Sequence, residues 1–159
     1  MSESARILVI DDEESIRRTF SIALQRAGYK VDAAENGKQA IEKATATFYN
    51  LALIDIRLPD IEGTELLTTL KETTPKMVKI VITGYPALPN AIAAINKGVD
   101  AYLVKPVNID ELLRLIKKHL DKQKHETEYN QKRLAQFVET RVKELETEER
   151  DARQTRKKE

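Results

Sequence analysis

Two kinds of apolar pattern alternate over residues 6–106, and this alternation constrains the fold more than any other feature of the sequence. Short β-rich apolar runs occur at Ile7–Ile10, Leu51–Ile54, Lys79–Thr83 and Ala101–Val104, with a weaker run at Tyr29–Ala33. Continuous apolar runs of this length are typical of strands that are buried on both faces. Strands that alternate with helices form parallel sheets with helices on both faces. We therefore predict an α/β fold with a doubly wound, five-stranded parallel sheet.

Helical patterns follow each of the five predicted strands. Their apolar residues recur at spacings of three and four, and they are marked by Ile16–Leu24, Gly37–Ala46, Leu66–Leu70, Ile92–Ile95 and Ile109–Leu120. Gly28 and Gly98 are predicted to cap the first and fourth helices at their C-terminal ends. In an open sheet of this kind, ligands bind at the carboxyl ends of the strands.

Charged and hydroxyl residues follow four of the predicted strands. Asp11–Glu13 follow the first strand, Asp55 the third, Thr83 closes the fourth, and Lys105 follows the fifth. A parallel sheet brings these ends to one edge, so carboxylates, a hydroxyl and an ammonium group are expected around one small cavity. Taken singly, each has an ordinary structural explanation as a helix cap, a turn residue or a solvated lysine. Because charged or hydroxyl side chains occur at the ends of four strands at the same edge of the sheet, the pattern favours a functional site.

Each residue type has a chemical task in such a cavity. Clustered carboxylates suit Mg²⁺, a hard cation that prefers oxygen ligands. A carboxylate oriented in this way can act as a nucleophile toward phosphorus and form an aspartyl phosphate. Lys105 and the Thr83 hydroxyl can then stabilise two of the phosphoryl oxygens. The pattern predicts phosphoryl transfer that depends on positioning and electrostatics.

Composition excludes several other kinds of site and partner. The chain has no cysteine and only two histidines, which excludes disulfides, thiolate metal ligands and a multi-histidine site. Its 27 Lys and Arg residues nearly cancel its 26 Asp and Glu residues, which argues against nucleic acid as a partner in spite of the basic cluster at Arg156–Lys158. No apolar run is long enough for a membrane span and no signal peptide is visible, so we expect no membrane contact and a cytoplasmic location.

Four segments together resemble a known family, the receiver domain of two-component response regulators. These segments are Ile7–Glu13, Leu53–Gly63, Ile80–Tyr85 and Ala101–Pro106. The resemblance covers about residues 5–120 and implies a flavodoxin-like (βα)5 receiver with a C-terminal helical extension. Each family motif falls at the element where the alternating pattern expects it.

The resemblance implies a phosphorylation site with a bound Mg²⁺. Asp55 would be the phosphoacceptor. Asp12 and Asp55 would ligate the metal directly, with the backbone carbonyl of Arg57 as a third protein ligand, and Asp11 would act mainly through a metal-bound water. Gly63 would serve the turn after the phosphorylated loop.

The resemblance also implies how phosphorylation is read out. Thr83 would bond a phosphoryl oxygen and swing inward, and Tyr102 would follow it from an exposed to a buried rotamer. Taken alone, an aromatic residue in an apolar strand is more simply a core residue. Lys105 would pair with the phosphoryl group, and the bond from Lys105 to Pro106 would be cis.

The segment 121–159 differs sharply from the receiver at 1–120. More than half of its residues are charged, and it contains neither glycine nor proline. These features favour a helix that continues the fifth helix of the receiver, with disorder at 154–159. Ala135, Val138, Val142 and Leu145 follow the 3–4–3 spacing of a short coiled coil. Three states remain open for this segment: a solvated helix, a dimeric coiled coil, or a helix that folds back on its own domain.

The sequence therefore predicts a phosphorylation-dependent signalling switch. Its Asp55 would accept a phosphoryl group from the phosphohistidine of a histidine kinase or phosphotransfer protein, and its output would be contact with a downstream protein. It would be no ordinary enzyme, because it would catalyse only its own phosphorylation and dephosphorylation. The alternative is a constitutive dimeric interaction scaffold with an inert receiver.

Overall fold

A computed structural model describes residues 4–70, 72–84, 96 and 98–158 of the chain. Its five strands form one sheet in the order β2-β1-β3-β4-β5, and every neighbouring pair is parallel. The strands are β1 (Arg6–Ile10), β2 (Lys30–Ala34), β3 (Leu51–Ile54), β4 (Val78–Thr83) and β5 (Ala101–Val104). The predicted doubly wound α/β fold is confirmed, and the predicted strand ends differ from the observed ones by at most one residue.

Four helices lie within the described residues. They are α1 (Glu14–Arg26), α2 (Gly37–Ala46), α3 (Gly63–Thr69) and α4 (Ile109–Lys158). Gly28 follows α1 with a positive φ of 97°, a conformation that glycine adopts without strain and that commonly ends helices. The helix predicted around Ile92–Ile95 lies outside the described residues, so α4 is the helix that the sequence predicts as the fifth.

The core consists of two apolar layers, one on each face of the sheet. Alternate residues of β3 divide between them, because successive side chains of a strand point to opposite faces. Ala52 and Ile54 pack with α2 and α3, and Leu51 and Leu53 pack with α1 and the first turns of α4. Burial on both faces fixes the register of the central strands and therefore the positions of the residues that follow them.

The C-terminal helix α4 is 50 residues long. The chain divides into two compact units, Met1–Gln123 and Lys124–Glu159. The prediction of a boundary at residue 120 is not tested by this division, and the predicted disorder at 154–159 also stays a prediction, although α4 includes residues 154–158. Among the described helices, none combines the length and apolar character that a membrane span requires.

Candidate phosphorylation site

Three carboxylates meet at the carboxyl edge of the sheet. Asp11 and Asp12 follow β1, Asp55 follows β3, and these two strands are neighbours. Each side chain offers an oxygen within 4.8 Å of the others. Asp11 and Asp55 are buried, with 3% and 6% of their surface exposed, whereas Asp12 faces solvent. Buried like charges at this distance repel one another, so the site needs a cation.

Lys105 supplies one positive charge from the end of β5. Its Nζ donates hydrogen bonds to Oδ2 of Asp11 at 2.7 Å and to Oδ2 of Asp55 at 3.2 Å. Burial alone lowers the pKa of Lys105, but the two carboxylates outweigh it and the pKa lies above the ordinary lysine value. Lys105 therefore remains an ammonium group that bridges two of the three carboxylates.

Asp55 lies in surroundings that disfavour its charge. Burial raises its pKa above the ordinary value for aspartate and the negative charge of Asp11 adds to this effect, while the Arg57 backbone N–H and the Lys105 ammonium act against it. The Arg57 N–H donates to Oδ1 of Asp55 at 3.1 Å. These contacts hold both oxygens of the carboxylate in defined directions.

A cavity of about 170 Å³ adjoins these groups. It is lined by Asp12, Glu13, Asp55, Arg57, Gly84 and Lys105. Thr83 and Tyr102, which the sequence predicts as site residues, lie outside this lining. A small anionic group and a cation with its waters are of a size to enter such a space.

The loop that follows Asp55 is closed at its base by Gly63. The Gly63 N–H donates to the carbonyl of Ile56 at 2.6 Å, and Arg57 forms an antiparallel bridge with Glu62. A Cβ atom at position 63 would lie 2.4 Å from the Asp55 carbonyl oxygen. Only glycine allows the chain to approach this closely, which is the physical reason for the glycine that the sequence analysis places in this turn.

The same loop is attached at its tip to the start of α2. The carboxylate of Asp60 accepts hydrogen bonds from the backbone N–H groups of Gly37 at 2.8 Å and Lys38 at 2.9 Å. Ile61 covers Gly37 so closely that a Cβ there would lie 2.0 Å from its Cγ2. This contact is not predictable from the sequence, because it joins residues more than twenty positions apart that share no motif.

Thr83 and Tyr102 occupy the adjacent strands β4 and β5. Thr83 ends β4 and is fully buried, while Tyr102 is half-buried in β5. The Tyr102 hydroxyl is itself buried and has no hydrogen-bond partner among the described residues. Burial raises the pKa of Tyr102 above its ordinary value, so this hydroxyl keeps its proton and remains a hydrogen-bond donor. The peptide bond from Lys105 to Pro106 is cis, as the resemblance implies.

The structure thus brings together Asp11, Asp12, Asp55 and Lys105, and it places the Arg57 backbone beside Asp55. Their roles in phosphoryl transfer stay predictions. Tyr85, the last residue of one family motif, lies outside the described residues.

Comparison with known proteins supports the resemblance to receiver domains. The family model of the response regulator receiver domain matches residues 7–117. A CheY-like response regulator receiver domain protein from Methanospirillum hungatei JF-1 is 44% identical, with a TM-score of 0.75, and the match covers 78% of this chain and 99% of that one. The response regulator ArlR of Staphylococcus saprophyticus is 36% identical over 120 residues, which are 74% of this chain and 53% of that protein.

A third relative was solved in a modified state. It is a response regulator from Burkholderia pseudomallei whose crystal structure holds a phosphorylated aspartic acid, a calcium ion and citrate. It is 31% identical, with a TM-score of 0.68, over 77% of this chain and 72% of that one. The chain spans about half the length of the curated relatives that it matches.

These matches show that the chain belongs to the response regulator receiver family, which acts in phosphorylation-dependent two-component signalling. Receiver domains are signalling proteins rather than classical enzymes, and they bind Mg²⁺ at an acidic pocket. The three carboxylates of this chain fit that ion, because they offer oxygen ligands of negative charge within reach of one another.

Proposed function

We propose that this protein is a switch that is phosphorylated on Asp55 by the phosphohistidine of a histidine kinase or phosphotransfer protein. The observation that carries the proposal is the position of the Asp55 carboxylate. It borders the cavity, lies within reach of Asp11 and Asp12, and is held by Lys105 and the Arg57 N–H. A nucleophile held by fixed groups in this way requires little reorganisation when it reacts.

Each residue of the site has its own role in the proposed reaction. An oxygen of Asp55 forms the new bond to phosphorus, while the bond between phosphorus and the donor's imidazole nitrogen breaks and the nitrogen keeps the electron pair. Lys105 can exchange one of its carboxylate contacts for a phosphoryl oxygen, because its Nζ already reaches Asp55. When Mg²⁺ is bound by Asp12, Asp55, the Arg57 carbonyl and, through water, Asp11, it supplies charge neutralisation at the phosphoryl group.

The proposed readout passes through Thr83 and Tyr102. A phosphoryl oxygen would accept a hydrogen bond from Thr83, which lies at the end of the strand between β3 and β5. Among the described residues the buried Tyr102 hydroxyl has no hydrogen-bond partner, so this side chain can rearrange when its surroundings change. The altered β4–β5 surface would then bind a downstream protein.

The experiment uses acetyl phosphate as a small phosphodonor in the presence of Mg²⁺. We expect the mass of the intact chain to rise by one phosphoryl group, and we expect EDTA or Asp55→Asn to prevent this. Glu42→Gln removes an exposed carboxylate on α2 and is expected to leave the reaction unchanged. Phosphorylation that survives Asp55→Asn would refute the proposed acceptor.

The scaffold alternative gives a different result in the same experiment. An inert receiver would take no phosphoryl group from acetyl phosphate, and beryllofluoride with Mg²⁺ would leave the NMR signals of Thr83 and Tyr102 in place. We expect both signals to shift. Unchanged signals together with an unmodified mass would favour the scaffold.

A further inference from the structure

The second half of α4 exposes an apolar face that nothing in its own unit covers. We name this face the tail stripe and define it as Leu134, Ala135, Val138, Val142 and Leu145. Its four large side chains are between 47% and 62% exposed. Exposed apolar side chains are usually scattered over a solvated surface, whereas these four lie together on one side of α4. The stripe therefore fits a partner helix.

We propose that the tail stripe binds a second copy of this chain in a parallel, in-register, two-stranded coiled coil. Ala135 and Val142 take the first core position of successive heptads, called a, and Val138 and Leu145 take the second, called d. A β-branched residue at a followed by leucine at d, as in Val142 and Leu145, favours two strands. Glu128 and Glu149 occupy the a positions on either side, so the apolar seam is limited to two heptads.

The charges that flank the seam decide the orientation. In a parallel pair, each g position faces the next e position of the partner. Arg141 then faces Glu146 of the second copy. Because the pair is symmetric, this gives two pairs of opposite charges within the two apolar heptads, which end before the a position where Glu149 would face Glu149 of the second copy.

An antiparallel pair over the same seam lacks this complementarity. It sets g against g and e against e, which brings Arg141 opposite Arg141 and Glu139 opposite Glu139. These repulsions cancel the attraction that the antiparallel arrangement gains between Lys132 and Glu146. The sequence of charges therefore specifies parallel helices, as e and g positions do in other coiled coils.

The single chain gives up little when Arg141 exchanges its present ion pair for the contact with Glu146 of the second copy. Arg141 lies 3.1 Å from Glu144, and both side chains are more than half exposed. Exposed pairs of this kind contribute little to stability. Burial of the stripe supplies the free energy of association, while the new ion pairs select the register.

The absence of cysteine in the natural chain makes a direct test of register simple. In the parallel arrangement residue 142 of one copy meets residue 142 of the other, so Val142→Cys is expected to form a disulfide-linked dimer under oxidised glutathione. Thr147→Cys, on the outer face of the helix, is the matched control and is expected to crosslink at least tenfold more slowly. An antiparallel pair would instead join Val138→Cys to Val142→Cys in a mixture of the two variants, and that result would overturn the proposed orientation.

Sedimentation of the full chain tests the partner and the charges. We expect the wild type to reach twice its mass of 18.1 kDa with rising concentration, and Leu145→Glu to remain at 18.1 kDa. Arg141→Glu is expected to raise the dissociation constant of the dimer at least tenfold. The double variant Arg141→Glu with Glu146→Arg is expected to restore the wild-type constant. Arg150→Glu, on the outer face of the helix, is the control and is expected to leave it unchanged. A wild type that stays monomeric at millimolar concentration, as a fold-back helix would, overturns the proposal. Asp55→Asn is expected to dimerise normally, so this test is independent of the phosphorylation site.

Discussion

At the scale of single residues, the surroundings of Asp55, the proposed phosphoacceptor, are unfavourable for the stability of the fold. Its carboxylate is 6% exposed and lies beside the buried carboxylate of Asp11, and the ammonium group of Lys105 bridges the two charges. The raised pKa of Asp55 means that the folded protein resists its ionisation. A group that is unfavourable in the fold yet present in a cavity is typical of a functional site.

We therefore expect Asp55→Asn to stabilise the protein in the absence of divalent cations. The amide removes one buried negative charge while it keeps the shape of the side chain and leaves Asp11 to pair with Lys105. The expected gain is on the order of 1 kcal/mol in the free energy of unfolding. Urea unfolding in EDTA measures it, with Glu42→Gln as the exposed control. A variant less stable than the wild type would show that the Lys105 contact to Asp55 outweighs the repulsion.

Tyr49 gives a prediction about alkaline pH. Its side chain is 1% exposed, and its hydroxyl donates to Oδ2 of Asp32 at 2.6 Å. Burial, followed by the hydrogen bond and charge of Asp32, raises the pKa of Tyr49 far above its ordinary value. Above pH of about 10 the unfolded chain loses this proton while the folded protein keeps it, so stability falls as pH rises.

Tyr49→Phe is therefore expected to flatten the loss of stability above pH 10. At pH 7 the same change costs about 1 kcal/mol, because the hydrogen bond to Asp32 is lost. Urea unfolding of both proteins from pH 7 to pH 11 provides the comparison. Some slope remains in the variant, since burial also raises the pKa of Tyr29 and Tyr102. Identical slopes would show that Tyr49 does not control this dependence.

At the scale of elements, the loop between β3 and α3 is the part of the fold that positions the site. Gly63 closes its base against Ile56, and Asp60 attaches its tip to the first turn of α2. The backbone of Arg57 lies between these two anchor points. Loss of either anchor should let the Arg57 carbonyl and the Asp55 side chain drift from their present geometry.

We expect Asp60→Ala to reduce Mg²⁺ affinity about tenfold, the size of effect seen when an outer partner of a metal ligand is removed. Asp60→Asn should lie between the wild type and Asp60→Ala, because one amide oxygen can accept only one of the two N–H groups well. Tyrosine fluorescence titrated with Mg²⁺ gives the affinity, and urea unfolding shows whether the fold remains intact. Equal affinity in all three proteins would mean that the tip contact does not position the site.

The sequence predicts the strands and their ends well and the loop contacts poorly, and the reason is physical. The strands are short apolar runs such as Leu51–Ile54, whose burial on both faces is visible in the residues themselves. The contact of Asp60 with Gly37 and the bridge of Lys105 to Asp11 depend on tertiary geometry that local patterns do not encode. The resemblance to receivers supplies the pairing of Lys105 with the phosphoryl group, but not its present contact with Asp11.

At the scale of the whole receiver unit, the two edges of the sheet are held in different ways. The carboxyl edge carries the charged site. At the amino edge, Gln123 of α4 donates from Nε2 to the carbonyls of Asn50 at 2.9 Å and Lys76 at 2.8 Å, and it accepts from Asn50 Nδ2 at 3.1 Å. Asn50 also accepts a hydrogen bond from the Arg6 N–H, so one polar cluster joins α4 to the beginnings of three strands.

We expect Gln123→Leu to destabilise the receiver by about 2 kcal/mol, because backbone carbonyls and the Asn50 amide lose partners in a place where little water enters. The rate of phosphorylation by acetyl phosphate and the Mg²⁺ affinity should not change, since the variant leaves every residue at the carboxyl edge in place. Lys122→Leu, at the neighbouring exposed position, is the control for added apolar surface. If Gln123→Leu slowed phosphorylation while its folded fraction stayed near unity, the two edges would be coupled through the strands, and the contacts that anchor α4 would not be independent of the chemistry at Asp55.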